Sequence, residues 1–428
     1  MVTVKVVVLM VNKVEFSAKN LTSNAGLFLL FEYCKNNGIF DLISHYLVFD
    51  KDSTNKIKMN HIKTLMCGFF AGANKLERLK LLQSDPLIKE FDIQVREPET
   101  ISRFAGEFSF KTTQMLRQIN FKIFEKIIRK CKIKSIIIDI DSTVINVWGV
   151  QEGTAKGYNP VRKGNRCYND ILAFCDELKC YITGFMRSGN TYTANGTKEL
   201  IAEIIENLKE LGLDITFRMD SGYFDEEIIK VIEESNYKYV IKAKGYSTLT
   251  KKLLAADCEW KCSEDKEVTE IITKPDNWES ERRFVIARRL KPIKERMQLS
   301  FDVNNEYEYA FYTTNTADEA VKVAISYEKR GNSENYIKEA KYDMNVGSIL
   351  LKSFWSNEAI FQITMMCYNV FLLFKTDNTS PQEYRQQIKT FRLKYIFVAA
   401  KIIKTARQVV MKICNDYPYK EVYARFNT

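Results

Sequence analysis

Ser135-Ile136-Ile137-Ile138-Asp139-Ile140-Asp141 is the stretch on which the fold turns. A run of β-branched residues this dense predicts a strand, and strand side chains alternate, so Asp139 and Asp141 fall on the same face. Downstream, Gly149 to Gly164 is polar and glycine-rich. Tyr168 to Phe174 and Cys180 to Phe185 read as two strands joined by a turn around Glu177. Lys198 to Leu211 carries Leu200, Ile201, Ile204, Ile205 and Leu208 on one helical face, with Thr197 as its cap and Gly212 as its terminator. Leu213, Ile215, Phe217 and Met219 then alternate with Asp214, Thr216, Arg218 and Asp220, a strand with Asp220 at its C-terminal end. A short helix from Asp225 and a strand from Tyr237 to Ala243 follow. Strand, hairpin, helix, strand, helix, strand is the order of an α/β protein with a mixed sheet.

Upstream, Val6 to Val11 reads as a strand, without the basic flank and cleavage site of a signal peptide. The rest of 1–130 is mostly helical: Leu27 to Tyr33, Ile62 to Phe70 and Phe110 to Arg129 carry apolar residues at helical spacing, and Thr100 opens a helix after Pro98. Lys122 to Lys134 is basic. Past Ala243 the pattern changes to short strands with charged connections, over Phe284 to Leu290, Met297 to Val303 and Tyr307 to Thr313, with Trp260 and Trp278 among them. Asp220 and Glu334 are too far apart for one helix–strand unit, so a mainly β insertion is expected between them. From Tyr384 to Lys412 there are eight cations (Arg385, Lys389, Arg392, Lys394, Lys401, Lys404, Arg407, Lys412) and no acid, with Tyr384, Phe391, Tyr395 and Phe397 interleaved. Such a segment attracts a phosphate backbone. The expected division is 1–130, a helical region; 131–244 with 315–380, the α/β domain; 245–314, the β-rich insertion; and 381–428, the basic C-terminal region.

The chain of 428 residues is 46% hydrophobic, with 27 Phe and 22 Tyr, which excludes a disordered protein. A formal net charge of +10 favours polyanionic partners. Ten cysteines form no CxxC pair and there are only two histidines, His45 and His61, so a zinc site is not expected and the thiols read as reduced and buried. The longest apolar stretch, Ala359 to Phe374, contains Gln362 and Asn369 and is short for a bilayer span. A soluble cytoplasmic protein without membrane contact is expected.

Tyr327, Arg330, Glu334 and Lys341 recur at a spacing that keeps all four within about 60° on a helical wheel. One narrow stripe of a single helix would then carry a phenol, two cations and a carboxylate. Neither a solvated face nor a core face needs that pattern. A metal-binding acid flanked by phosphate contacts does. With Asp141 and Asp220 at strand ends, Glu334 completes a set of three acids on different elements. Phosphodiester cleavage with two divalent ions roughly 3.5–4 Å apart uses such a set, and oxygen ligands suit Mg²⁺. Each acid also has a plainer reading: Asp141 capping its own turn, Asp220 serving the Ser221-Gly222-Tyr223 turn, and Glu334 pairing with Lys338. Gly157-Tyr158-Asn159-Pro160 is most simply a turn, with Arg162, Lys163 and Arg166 nearby to meet DNA.

The element order is similar to the ribonuclease-H-like layout, and the motifs go further. Tyr327-(2)-Arg330-(3)-Glu334-(6)-Lys341 resembles the signature of one branch of DDE transposases of bacterial insertion sequences. Ile138-Asp139-Ile140-Asp141-Ser142-Thr143, Gly157 to Pro160, Arg187-Ser188-Gly189-Asn190 and Arg218-Met219-Asp220-Ser221-Gly222-Tyr223 resemble the '1380' family within it. The resemblance implies a ribonuclease-H-like catalytic domain, a β insertion and a helical N-terminal DNA-binding region. It implies a cut-and-paste reaction at terminal inverted repeats by a homodimer in a paired-end complex with double-stranded DNA. Asp141, Asp220 and Glu334 would hold two Mg²⁺ ions, with Mn²⁺ able to substitute. Asp139 is the rival for the first acid, and Asp141 is preferred because the family acid precedes a hydroxyl pair. Arg330 and Lys341 would meet DNA-end phosphates and Tyr327 the flanking strand, alongside Arg162, Lys163, Arg392, Lys394, Lys404 and Arg407. An aromatic holding a flipped base would be Trp260 or Trp278, both of which also read as strand packing. A relative that has lost catalysis, and a ribonuclease-H-like structure-specific nuclease, are the alternatives.

Overall fold

The computed structural model describes residues 13–49, 55–91, 93–245, 249, 251–252, 255–256, 258–263, 265–291 and 306–424. The strands expected at Val6 to Val11 and Met297 to Val303 lie outside them. After the two-residue strand β1 (Leu21–Thr22) come helices α1 (Leu27–Asn36), α2 (Ile39–Tyr46), α3 (Asn55–Phe70), α4 (Leu79–Gln83), α5 (Pro98–Ala105) and α6 (Phe110–Cys131). A capping box starts α6: Ser109 N donates to Thr112 Oγ1 at 2.8 Å while Ser109 Oγ accepts from Thr112 N. Leu116, Ile119, Ile123, Phe124, Ile127 and Ile128 form its buried stripe.

Then follow β2 (Ser135–Asn146), β3 (Ala155–Lys156), β4 (Arg166–Cys175), β5 (Cys180–Phe185), α7 (Thr197–Leu208), β6 (Asp214–Met219), α8 (Glu226–Glu234) and β7 (Lys238–Lys242). Next are β8 (Lys261–Ser263), β9 (Lys266–Thr273), β10 (Arg282–Leu290) and β11 (Tyr307–Thr314). Helices α9 (Ala320–Glu328), α10 (Gly331–Tyr342) and α11 (Phe354–Asn378) precede the hairpin β12 (Ala400–Lys404) and β13 (Val409–Ile413). The protein is a mixed α/β fold on one large mixed sheet, in the order β3-β4-β2-β6-β7-β11-β10-β9-β8 with β5 on the outer side of β4. β2, β6 and β7 are parallel, and β4 runs antiparallel to β2. The strands of 245–314 continue this same sheet, because β11 pairs antiparallel with β7 from Tyr312↔Lys242 to Thr314↔Val240.

Three boundaries differ from the sequence reading. β2 runs on to Asn146, so Asp141 lies inside a strand and not at its end. What ends there is the pairing with β6, whose last register pair is Ile140↔Met219. α7 begins at Thr197, and Gly196 holds the capping position at φ +79°, a backbone that favours glycine. The apolar stretch 359–374 belongs to a longer helix, α11, of 25 residues. By length and composition it could cross a membrane, but its most apolar window is 94% buried within the protein. Apolar residues on all sides mark such a helix as a core element. Its polar residues have a job there. Asn369 accepts from Tyr181 N at 3.0 Å and donates to Tyr181 O at 2.7 Å, and Gln362 donates to Gly184 O at 2.7 Å. They satisfy the outer edge of β5, which would otherwise be unpaired. α6 packs across α11, with Asn120 donating to Gln362 Oε1 at 3.0 Å. β12 pairs with β1, so the basic C-terminal stretch folds back onto the N-terminal region.

Candidate active site

Parallel register sets the first two acids side by side. Beyond Ile140↔Met219 the next residues are Asp141 on β2 and Asp220 just past β6. This is the carboxyl edge of the parallel strands, where open α/β sheets place their ligands. Asp220 caps the following turn, accepting from Gly222 N at 2.7 Å through Oδ1. Asp141 Oδ1 accepts from Ser142 N at 2.8 Å. One oxygen of each acid thus orients the side chain, and the other faces a shared space. Arg330 occupies that space, with Nη2 2.9 Å from Asp141 Oδ2 and 3.7 Å from Asp220 Oδ2. Burial pushes Asp141 up to about 6, against the pull of Arg330, while Asp220 and Glu334 push the same way as burial. Arg330 Nε is buried without a hydrogen-bond partner.

The expected single helix is two. In an unbroken α-helix the Arg330 N–H would bond to the Ser326 carbonyl. Arg218 takes that carbonyl, donating from Nη1 at 2.7 Å, and Arg330 N turns to Tyr327 O at 2.9 Å. The ladder breaks at Lys329–Arg330, and α10 restarts at Gly331. The four-residue stripe is therefore split between α9, the junction and α10. Tyr327 is buried against Tyr312 of β11, ring centroids 4.6 Å apart. Lys341 reaches the part of β2 that has outrun β6, with Nζ 2.9 Å from Val144 O and 3.2 Å from Thr143 Oγ1. Glu334 is exposed, its Oε2 3.6 Å from Lys338 Nζ, which is the plain i,i+4 pair. The structure thus brings Asp141 and Asp220 together and leaves Glu334 turned outward on the next turn of helix. Among the described residues no set of three His, Cys, Asp or Glu side chains stands close enough to hold an ion.

Asp139 has a different role. Arg218 donates to both its oxygens, at 2.6 and 2.7 Å, and to Asp176 at 3.0 Å. Asp176 also accepts from Tyr336 of α10 at 2.9 Å. Asp139 and Arg218 are buried, so this network is an internal strut from β2 and β6 to both helices of the break. The sequence reading missed Arg218 and Asp176. Alternation put Arg218 on the polar side of its strand, with Asp214, Thr216 and Asp220, so no local pattern marked it as buried.

The expected DNA contacts divide. Arg162 and Lys163 are exposed, Arg162 lying over the Trp148 ring at 3.7 Å. Lys404 is exposed beside Glu90 at 3.0 Å, Arg407 is exposed, and Lys394 lies over Tyr419 with Glu383 at 3.8 Å. Arg392 is not a surface cation. It is 5% exposed and donates to Phe70 O at 2.9 Å, Phe69 O at 2.7 Å and Asp343 O, closing the C-terminus of α3. The two tryptophans are engaged in packing: Trp260 lies under Arg288 at 3.9 Å, and Trp278 stands 4.7 Å from Phe224.

For a divalent ion the donor set fits in part. Two adjacent carboxylates already hold a positive group between their free oxygens, and a third carboxylate is one helical turn from that group.

The family described as transposase DDE domain group 1 matches residues 9–428. No curated protein matches the chain. Among solved structures, a piggyBac transposase synaptic complex with hairpin DNA is similar at 11% identity and TM-score 0.49, over 94% of this chain and 82% of that one. A Mos1 transposase paired-end complex with the left transposon end is similar at 10% identity and TM-score 0.19, over 38% of this chain and 53% of that one.

Proposed function

Because the chain belongs to the transposase DDE domain group 1 family, we propose that it moves an insertion sequence by cutting DNA at terminal inverted repeats and joining the freed ends to target DNA. The observation that carries this reading is the register that sets Asp141 beside Asp220, with a cation between them. The strand order β5-β4-β2-β6-β7, antiparallel then parallel, supports a ribonuclease-H-like core. Asp141, Asp220 and Glu334 would hold Mg²⁺, or Mn²⁺ in its place, and the ions would supply charge stabilisation at the transferring phosphoryl group. Asp141 and Asp220 present one free oxygen each. Arg330 offsets part of their charge when no ion is bound, and its release toward a DNA phosphate would free both carboxylates together. Glu334 joins them by leaving Lys338, a surface pair of small strength. Arg162, Lys163, Lys394, Lys404 and Arg407 supply the phosphate-facing charge. The acting species in this reading is a homodimer pairing two repeat ends in the bacterial cytoplasm.

The test is incubation with its repeat-end DNA and Mg²⁺. Wild-type protein nicks at the repeat boundary. Asp141→Asn and Asp220→Asn each slow nicking by roughly a hundredfold or more, since each removes several kcal/mol of charge stabilisation, and both still bind the ends. Nicking by either variant at the wild-type rate removes that acid from the site. The outward side chain of Glu334 favours one rival, a relative that binds ends without cutting. Binding without cleavage by the wild-type protein would establish it.

A further inference from the structure

We propose that Trp148, Tyr158 and Tyr192 form a stacking platform for unpaired nucleotides of a DNA strand beside the Asp141–Asp220 pair. Large aromatic rings normally lie inside a fold, yet these three are 76%, 82% and 80% exposed. They sit on two loops, the glycine-rich stretch after β2 and the segment after β5. The loops are locked to each other by their backbones. A Cβ on Gly157 would stand 1.8 Å from Gly189 O, and one on Gly189 would stand 2.5 Å from Ala155 O, so only glycine permits the crossing. Asn159 donates to Asn146 Oδ1 at 2.6 Å, Asn169 donates to Thr191 O at 3.0 Å, and Arg187 donates to Thr193 O at 2.9 Å. The rings therefore stand out from a fixed base.

That base abuts the acids. Thr193 Cγ2 lies 2.8 Å from where a Cβ on Gly222 would be, and Gly222 N is the group that orients Asp220. Charge selects the occupant. Between Trp148 and Arg166 there are four cations, Lys156, Arg162, Lys163 and Arg166, against the single acid Glu152. Arg162 lies over one face of the Trp148 ring, its Cζ 3.7 Å from the centroid. Exposed π-faces set among cations match a nucleic-acid strand, with phosphates on the charges and bases on the rings. In a duplex both faces of each base are already stacked. The rings can engage only nucleotides freed from pairing, such as those at a nicked or frayed end.

The proposal rests on the reading of the protein as a DNA-cutting enzyme, and its test keeps the two apart. The probe is a mixed-sequence duplex carrying a four-nucleotide overhang with 2-aminopurine, compared with the blunt duplex, in EDTA so that no cutting occurs. Wild-type protein is expected to prefer the overhang and to change the 2-aminopurine fluorescence. Trp148→Ala, Tyr158→Ala and Tyr192→Ala each lose about tenfold in overhang affinity, while Tyr158→Phe and Tyr192→Phe keep it, and blunt-duplex affinity stays unchanged throughout. No overhang preference in the wild type, alanine variants that bind the overhang like wild type, or equal losses on blunt DNA would each overturn the platform. Repeat-end nicking alongside any of these results would leave the functional reading standing. The expected overhang pattern in a protein that does not nick would retain the platform and sink that reading.

Discussion

Replacing Arg218 with methionine cuts the strut behind the active site. Four polar contacts go at once: two to Asp139, one to Asp176 and one to the Ser326 carbonyl. Asp139 is 1% exposed and would be left as an uncompensated charge, which costs about 3–5 kcal/mol. The Ser326 carbonyl loses its partner at about 1 kcal/mol more. Against a total stability of roughly 5–15 kcal/mol, that is a large share. Asp176 is better solvated and adds little. The double variant Asp139→Leu/Arg218→Met removes the stranded charge and is expected to regain most of the stability. It does not restore the break between α9 and α10, because nothing then competes with Arg330 N for the Ser326 carbonyl. The assays are denaturant unfolding and repeat-end nicking. Arg218→Met should be less stable by about 4–6 kcal/mol, and the double variant should be near wild type in stability yet slow in nicking. A single variant within 1 kcal/mol of wild type, or a double variant that nicks at full rate, would refute the assignment of Arg218 as a positioning residue.

Arg392→Ala is expected to lower stability by several kcal/mol, because three backbone carbonyls lose a buried charged donor; the salt dependence of DNA binding should not move, and a flatter slope would place Arg392 on the phosphates after all. Arg330→Met should strengthen Mn²⁺ binding by the DNA-free protein, measured by electron paramagnetic resonance, because it removes the cation between Asp141 and Asp220; weaker Mn²⁺ binding would show that Arg330 does not compete there. The same variant should lower the salt slope of end binding by about one. Asp141 is held near 6, above the usual carboxylate range, so below that pH a proton occupies the oxygen an ion would use. Mn²⁺ affinity should therefore rise as pH climbs from 5 to 7, and a flat profile would remove Asp141 from the ligand set.

The central strands of the sheet were legible because their patterns are local, whereas β3, β8 and β9 were not expected. Cys180 to Phe185 and the alternation from Leu213 to Asp220 set β5 and β6 almost to the residue. Asp141 and Asp220 were legible as acids at strand ends of one mixed sheet, but that their strands are neighbours comes from the pairing of β2 with β6. The break in the stripe from Tyr327 to Lys341 was not. Its cause is Arg218, more than a hundred residues upstream, taking one carbonyl out of a helical ladder. A wheel drawn on the sequence contains no such partner. Arg392 was misread for a related reason. Counting cations from Tyr384 to Lys412 measures charge but not direction, and only the packing of α3 against that segment turns Arg392 inward. Tyr158 falls in the stretch expected to be a polar loop, Trp148 and Tyr192 fall outside every element expected from the sequence, and nothing local tells an exposed ring from a packed one.

The pairing of Leu21–Thr22 with Ala400–Lys401 has a consequence for synthesis. The early helices find their packing surface on α11, and the Tyr33 hydroxyl bonds to Leu373 O at 3.2 Å. On the ribosome these helices emerge hundreds of residues before the partners that bury them, and contacts this distant in sequence form late and slowly. A chain that stopped before residue 354 would lack α11 and leave the apolar faces of α1, α3 and α6 that pack on it uncovered.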